Sequence, residues 1–224
     1  MSDVPKLDPE LLSQITQRTL GHYDNRAEAF WEGTRDHDVS QNRNALLRHL
    51  EGEGDGLRIL DLGCGPGRDL AVFKAAGHRP TGLDGSAEFC RMARAHSGCE
   101  VLHQDMLALD LPTGEFHGVF ANASLFHVPT QELPRVVKNL WTTLRPGGVL
   151  LSSNPRGDNR EGWSGERYGA YHDLDRFRAL VLPSGFEELE HYYRPPGLPR
   201  EQQPWLVTVF RRIELGGDIG TLCV

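Results

Sequence analysis

One ten-residue stretch, Arg58 to Gly67 (RILDLGCGPG), limits the folds open to this chain more than any other. An apolar run, Ile59-Leu60-Asp61-Leu62, breaks into Gly63, Gly65 and Gly67, and a helical pattern follows from Arg68. Such a run predicts a buried parallel strand turning sharply into a helix N-terminus. Glycine lets a ligand approach the backbone, and the helix end offers N–H groups with no intrahelical partner. The turn is therefore a place for a nucleotide-like cofactor. A dinucleotide turn uses G-x-G-x-x-G, whereas these glycines fall as G-x-G-x-G and position 68 is Arg. Asp61, just ahead of them, would repel a pyrophosphate and could hold a cation.

Downstream, strands and helices alternate, which predicts an α/β fold. A helix is expected over Arg68–Ala76, ended by Gly77, then a strand over Arg79–Leu83 that finishes in Asp84. Ser86 caps a helix through Ala95, and a strand over Glu100–Gln104 leads into Asp105-Met106. Gly118–Ala121 is a fourth strand, Gln131–Leu144 a helix, and Arg145–Gly148 a turn before a strand over Val149–Ser153. Asn159–His172, rich in Gly, Tyr and Trp, reads as a substrate-covering loop. Asp173 caps a helix over Leu174–Leu182, and Phe186–Tyr193 with Trp205–Arg211 reads as an antiparallel pair closing the sheet. Ahead of all this, Asp8 caps a helix to Leu20 that Gly21 ends, and Asn44–Leu50 is a short helix. Tyr23, Phe30 and Trp31 crowd between them, which suits a lid with apolar walls. The expected organisation is a helical cap over 1–50, a core over 51–212 opening with a linker at Glu51–Gly56, and a tail over 213–224.

Three carboxylates, Asp61, Asp84 and Asp105, thus fall at three successive strand ends. Asp84 can accept hydrogen bonds from both hydroxyls of a ribose, a geometry common to NAD and S-adenosylmethionine sites. Together these motifs resemble the class I S-adenosylmethionine-dependent methyltransferases, in that family's order from residue 58 to 153. The resemblance implies a Rossmann-like fold: a seven-stranded, mostly parallel sheet with an antiparallel last pair, helices on both faces and the N-terminal cap. It implies S-adenosylmethionine as cofactor, leaving as S-adenosylhomocysteine. Its holders would be Asp61, Gly63, Gly65, Gly67, Arg68, Asp84, Gly85, Ser86, Asp105, Met106, Asn122 and Ser124, with Tyr23 and Trp31 above.

The flanking strings FWEGTRDHDVSQN (30–42), ANASLFHVP (121–129), SNPRGDN (153–159) and YYRPPGLPREQQPW (192–205) are more particular. They resemble the methyltransferase domain fused to iron-dependent sulfoxide synthases of ovothiol biosynthesis, over about residues 20 to 212. That implies N-methylation of the imidazole ring of mercaptohistidine, with a functional link to such a synthase. Phe30, Asn154, Tyr168, Tyr171 and His172 would then meet the acceptor, Arg156 or Arg194 its carboxylate, and Asp158 its ammonium. His127 or His172 could act as base, or a thiolate tautomer could need none. Asn154-Pro155-Arg156-Gly157 also resembles the N-P-P-aromatic motif of DNA amino-methyltransferases. It follows the fifth strand, however, and carries Arg for the second proline.

A formal net charge of −7 speaks against nucleic-acid or anionic-membrane partners. No apolar stretch approaches a membrane span, and the N-terminus lacks a signal-peptide core. The four cysteines form no C-x-x-C pair, so reduced thiols, a cytoplasmic setting and no metal site are expected. Three rival readings stay open: methylation of another small nucleophile, a non-catalytic S-adenosylmethionine-binding subunit, and an NAD oxidoreductase.

Overall fold

The structure, a computed structural model, describes residues 6–50 and 56–214. Most of the expected linker and nearly all of the expected tail lie outside those residues. At the centre is β1 (Arg58–Leu62), where Ile59, Leu60 and Leu62 are fully buried because helices cover both faces. It pairs in parallel with β2 (Arg79–Asp84) on one side and β4 (Phe116–Asn122) on the other. Adding β3 (Glu100–His103), β5 (Leu144–Pro155), β8 (Phe186–Arg194) and β9 (Trp205–Arg212) gives the sheet order β3-β2-β1-β4-β5-β9-β8. Only β9 runs against its neighbours. This is the Rossmann-like, mostly parallel sheet that the sequence predicts.

Alternation along β1 divides the core. Leu60 and Leu62 join a cluster with Val136, Val137 and Leu140 of α6 (Leu133–Thr143) and Phe177 of α7 (Leu174–Val181). Ile59 faces the other way, toward Phe73 of α4 (Arg68–Ala75) and Ala45 and Leu46 of α3 (Ser40–Arg48). Next to α4 lies α5 (Ala87–Ser97), which Ser86 caps by accepting the Phe89 N–H, as expected. Strand order reverses between β1's two neighbours, so a crevice opens at the carboxyl ends of β1, β2 and β4.

Three expectations need correction. Gly21 does not end the first helix: α1 runs from Pro9 to Asp24. A mid-helix glycine costs about 1 kcal/mol, and Tyr23 offsets it by packing its ring on Phe30 and Phe89. The third helix begins at Ser40 instead of Asn44. Asn42 is fully buried there, donating to Asn122 Oδ1 and accepting the Tyr192 hydroxyl, so a polar residue that reads as lid surface belongs to the interior. Thus α1 and α2 (Ala27–Thr34) stand near the strand ends, while α3 is a layer helix on the sheet. Last, Asn159–His172 is mostly a hairpin, β6 (Arg160–Ser164) and β7 (Arg167–Tyr171), turning at Gly165 with φ +60°. Tyr168 N–H donates to Thr19 Oγ1 at 3.0 Å, and Arg18 pairs with Glu166 at 2.7 Å, fastening the hairpin to α1.

Candidate functional site: a cavity at the strand switch point

A cavity of about 870 Å³ occupies the crevice under α1 and α2. Its floor is the glycine turn, with Gly63 and Gly65 in the left-handed region at φ +72° and +51°. A Cβ on Gly63 would stand 2.4 Å from that of Ser124, so no other residue fits without displacement. Asp84 braces the turn: its Oδ2 accepts the Gly65 N–H and its Oδ1 the Ser86 N–H, both at 2.9 Å. Burial pushes the Asp84 carboxyl up to about 6, against those N–H donors, which favour the charged form.

Four buried polar atoms of residues lining this cavity lack a partner: Asp61 Oδ2, Arg68 Nε, Ser124 Oγ and Arg194 Nε. Burial, together with the neighbouring Asp69, drives the Asp61 carboxyl well above the usual range. Arg68 is already held, donating to Thr34 O at 2.8 Å and Asp69 Oδ2 at 2.7 Å, which leaves Nε aimed at no protein group. Asp61 Oδ2 without a donor and Arg68 Nε without an acceptor suit the ammonium and carboxylate of an amino-acid group. Asp105 and Met106 line the neighbouring edge, and Asp105 Oδ1 accepts the Leu107 N–H at 2.8 Å.

At the end of β4 the chain is strained, since Ala123 holds φ +61° without being glycine. Beside it, His127 Nδ1 lies 2.6 Å from Tyr168 O, and the Tyr23 hydroxyl lies 2.8 Å from His127 Nε2. A carbonyl can only accept, so Nδ1 carries the proton and Nε2 accepts from Tyr23. Burial lowers His127 to about 4, and the charge of Arg167 pushes it the same way. The pair is therefore a neutral imidazole fixed in one tautomer by its two partners.

Most of the sequence-predicted cofactor residues line this cavity: Tyr23, Trp31, Asp61, Gly63, Gly65, Arg68, Asp84, Gly85, Asp105, Met106, Asn122 and Ser124. Gly67 and Ser86 do not; Gly67 packs on α5, and the Ser86 hydroxyl donates to Asp24 Oδ1 at 2.6 Å. Of the acceptor candidates, Phe30, His127 and Arg194 line it. Asn154, Arg156, Tyr168, Tyr171 and His172 do not: Asn154 and Arg156 are held at the end of β5, and 159–172 is an anchored hairpin instead of a draped loop. Asn154 accepts the Phe126 N–H and donates to Ser152 Oγ. Arg156 donates to Gln203 O and Arg200 O, Tyr168 packs its ring on Trp163, and Tyr171 lies by Phe126. His172 is buried with Nε2 2.9 Å from Thr130 Oγ1. Asp158 is exposed and pairs with Arg160 at 2.9 Å.

Arg167, Phe89 and Phe126 line the cavity, and local sequence patterns do not single them out. A signal for Arg167 exists nonetheless. Gly165-Glu166 is a two-residue Gly-X turn, and a hairpin there separates the two faces of 160–171. Among the described residues, no cluster of His, Cys, Asp and Glu could hold a metal ion, and no helix is long and apolar enough to cross a membrane.

Fold, cavity and comparison agree on the class. Residues 59–148 match the model of the methyltransferase domain family. The chain is an S-adenosylmethionine-dependent methyltransferase with a Rossmann-like methyltransferase fold, and S-adenosylmethionine is its cofactor. It is 28% identical over 195 residues to the ubiquinone biosynthesis O-methyltransferase of Bordetella avium, covering 82% of this chain and 77% of that protein. It is 37% identical over 107 residues to the trans-aconitate 2-methyltransferase of Paracidovorax citrulli, covering 46% of this chain and 40% of that protein. Of the sterol 24-C-methyltransferase ERG6A of Gibberella zeae the match spans only 56%, at 27% identity. Among solved structures, the Burkholderia thailandensis 1,6-didemethyltoxoflavin-N1-methyltransferase superposes with a TM-score of 0.72. It shares 20% identity over 95% of this chain and 93% of its own, and holds 1,6-didemethyltoxoflavin and S-adenosylhomocysteine.

Proposed function

We propose that the chain methylates a small molecule at a ring nitrogen, with mercaptohistidine as the candidate acceptor. The observation that carries this reading is the lining of one cavity. Acids and unpartnered polar groups suited to the cofactor line it at the strand ends, and the Tyr23–His127 pair lines the same cavity just past β4. The mercaptohistidine identity rests on the four flanking strings, because the named acceptors of the relatives differ from one another. A functional link to an iron-dependent sulfoxide synthase, a cytoplasmic setting and the cap–core division belong to the same proposal.

The bound cofactor supplies an activated methyl group on sulfur, whose C–S bond breaks as the bond to the acceptor nitrogen forms. The protein's task is alignment and exclusion of water. Asp61 would meet the cofactor ammonium, Arg68 its carboxylate, Asp84 the ribose, and Asp105 with Met106 the adenine. Phe30, Tyr23 and Trp31 close the cavity above. His127 is no strong base: protonating a group of pKa about 4 at pH 7 costs about 4 kcal/mol. The Tyr23–His127 pair instead orients the acceptor by hydrogen bonding, which suits a thioimidazole whose ring nitrogen is already nucleophilic.

Two measurements check this reading. Mass spectrometry with S-adenosylmethionine should show methyl transfer to mercaptohistidine and none to histidine. No transfer to either, with S-adenosylhomocysteine still bound, would transfer the acceptor question to a metabolite screen. Calorimetry of S-adenosylhomocysteine binding should also show net proton release near neutral pH. Asp61 is held in its protonated direction in the free protein, and an arriving ammonium favours the charged form. The observed enthalpy should therefore differ between phosphate and Tris in the direction of proton release. Equal enthalpies in the two buffers would remove Asp61 from the ammonium site.

A further inference from the structure

We propose that Arg167 anchors an anionic group of the methyl acceptor, so that the enzyme selects carboxylate-bearing molecules. This inference rests on the methyl-transfer reading above and adds the charge of the acceptor to it. Three guanidinium groups line the cavity: Arg68, Arg167 and Arg194. Arg68 is held by Asp69 and Thr34 at the cofactor end. Arg194 donates to Asp38 O at 2.6 Å, fastening the segment between α2 and α3, and keeps a buried Nε without a partner on a different strand. Arg167 is different. It is half-buried at the start of β7, and its protein partner is the Tyr23 hydroxyl, whose ionisation it favours. The nearest acid in sequence, Glu166, is taken by Arg18 at 2.7 Å.

Position gives this cation its meaning. Asp61, Asp84 and Asp105 line the strand ends at the cofactor side, whereas Arg167 stands with Tyr23 and His127. The cavity thus offers a guanidinium on the hairpin beside Tyr23 and His127, on a different element from the strand-end acids. A guanidinium offers five donors in a rigid fork, so Arg167 can keep its bond to Tyr23 and still present two N–H groups to a carboxylate. Of the two alternatives that the sequence offers, Arg194 lines the cavity, and Arg156 lies outside it with its donors directed at Gln203 O and Arg200 O.

The test uses enzyme saturated with S-adenosylhomocysteine and acid–ester pairs: mercaptohistidine, imidazole-4-carboxylate and benzoate, each beside its methyl ester. Binding is read by calorimetry. At least one acid should bind the wild-type enzyme about 10- to 100-fold more tightly than its ester. Arg167→Gln should erase that preference while S-adenosylhomocysteine affinity stays within twofold, which also shows that the variant folds. Arg167→Lys, which keeps the charge and loses the fork, should retain part of the preference, and Arg156→Ala should retain all of it. Absence of any acid preference in the wild type, or its survival in Arg167→Gln, overturns the proposal. The two readings fail separately. Preference for imidazole-4-carboxylate without methylation of mercaptohistidine keeps the anchor and dismisses that acceptor. Methylation of mercaptohistidine with an unchanged KM in Arg167→Gln does the reverse.

Discussion

Asp84→Ala should weaken S-adenosylhomocysteine binding by at least 100-fold in calorimetry. A hydrogen bond to a charged group contributes about 1.5–3 kcal/mol, and a ribose offers two hydroxyls to this carboxylate. Asp84 also fixes the glycine turn through the Gly65 and Ser86 N–H groups, so its removal loosens the cavity floor as well. The expected effect has a pH signature. With the carboxyl pushed up to about 6, cofactor affinity should hold above that pH and decline below it, as protonation takes away an acceptor. The free fold responds in the opposite sense. Its raised carboxyl binds a proton between pH 6 and the ordinary carboxylate value of 3.8, where the unfolded chain does not, so falling pH relieves it there. Near-wild-type affinity in Asp84→Ala would refute the ribose placement.

Gly67→Ala should lower the melting temperature by roughly 10 °C. Gly67 precedes α4 with φ +88°, and a Cβ there would lie 2.8 Å from Ala93 Cα and 3.1 Å from Ala93 O on α5. A left-handed backbone costs a β-carbon about 1–2 kcal/mol, and forcing two helices apart costs about 1–3 kcal/mol more. Gly77→Ala is the matched control. Gly77 has φ +86°, and a β-carbon there would meet nothing within 4 Å, so only the conformational part applies. Similar losses at both positions in thermal melts would show that close packing on Ala93 contributes nothing.

Local signals are legible in the sequence, and relations between distant segments are not. The strand–turn–helix at 58–68, the caps at Ser86 and Asp173, and acids at three strand ends are each set by a few neighbouring residues. The glycine turn is legible only in part. Position 68 lacks the third glycine of a dinucleotide turn, yet Gly67 performs the close helix packing that such a glycine would. The acceptor side is harder. Whether Arg167 meets the cavity depends on a hairpin whose anchors, Thr19 and Arg18, lie near the N-terminus. Aromatic and glycine content cannot distinguish a draped loop from that hairpin. Asn42 escapes for the same reason, since its partners Asn122 and Tyr192 come from strands far along the chain.

The bond from Tyr168 N–H to Thr19 Oγ1 joins residues 149 positions apart, across the whole donor-binding core. The cavity lining thus joins the ends of β1, β2 and β4 to residues of α1 and α2 and to Arg167 of the hairpin. Because α1 carries Tyr23 and the hairpin carries Arg167, loosening that one bond would shift two walls of the cavity at once.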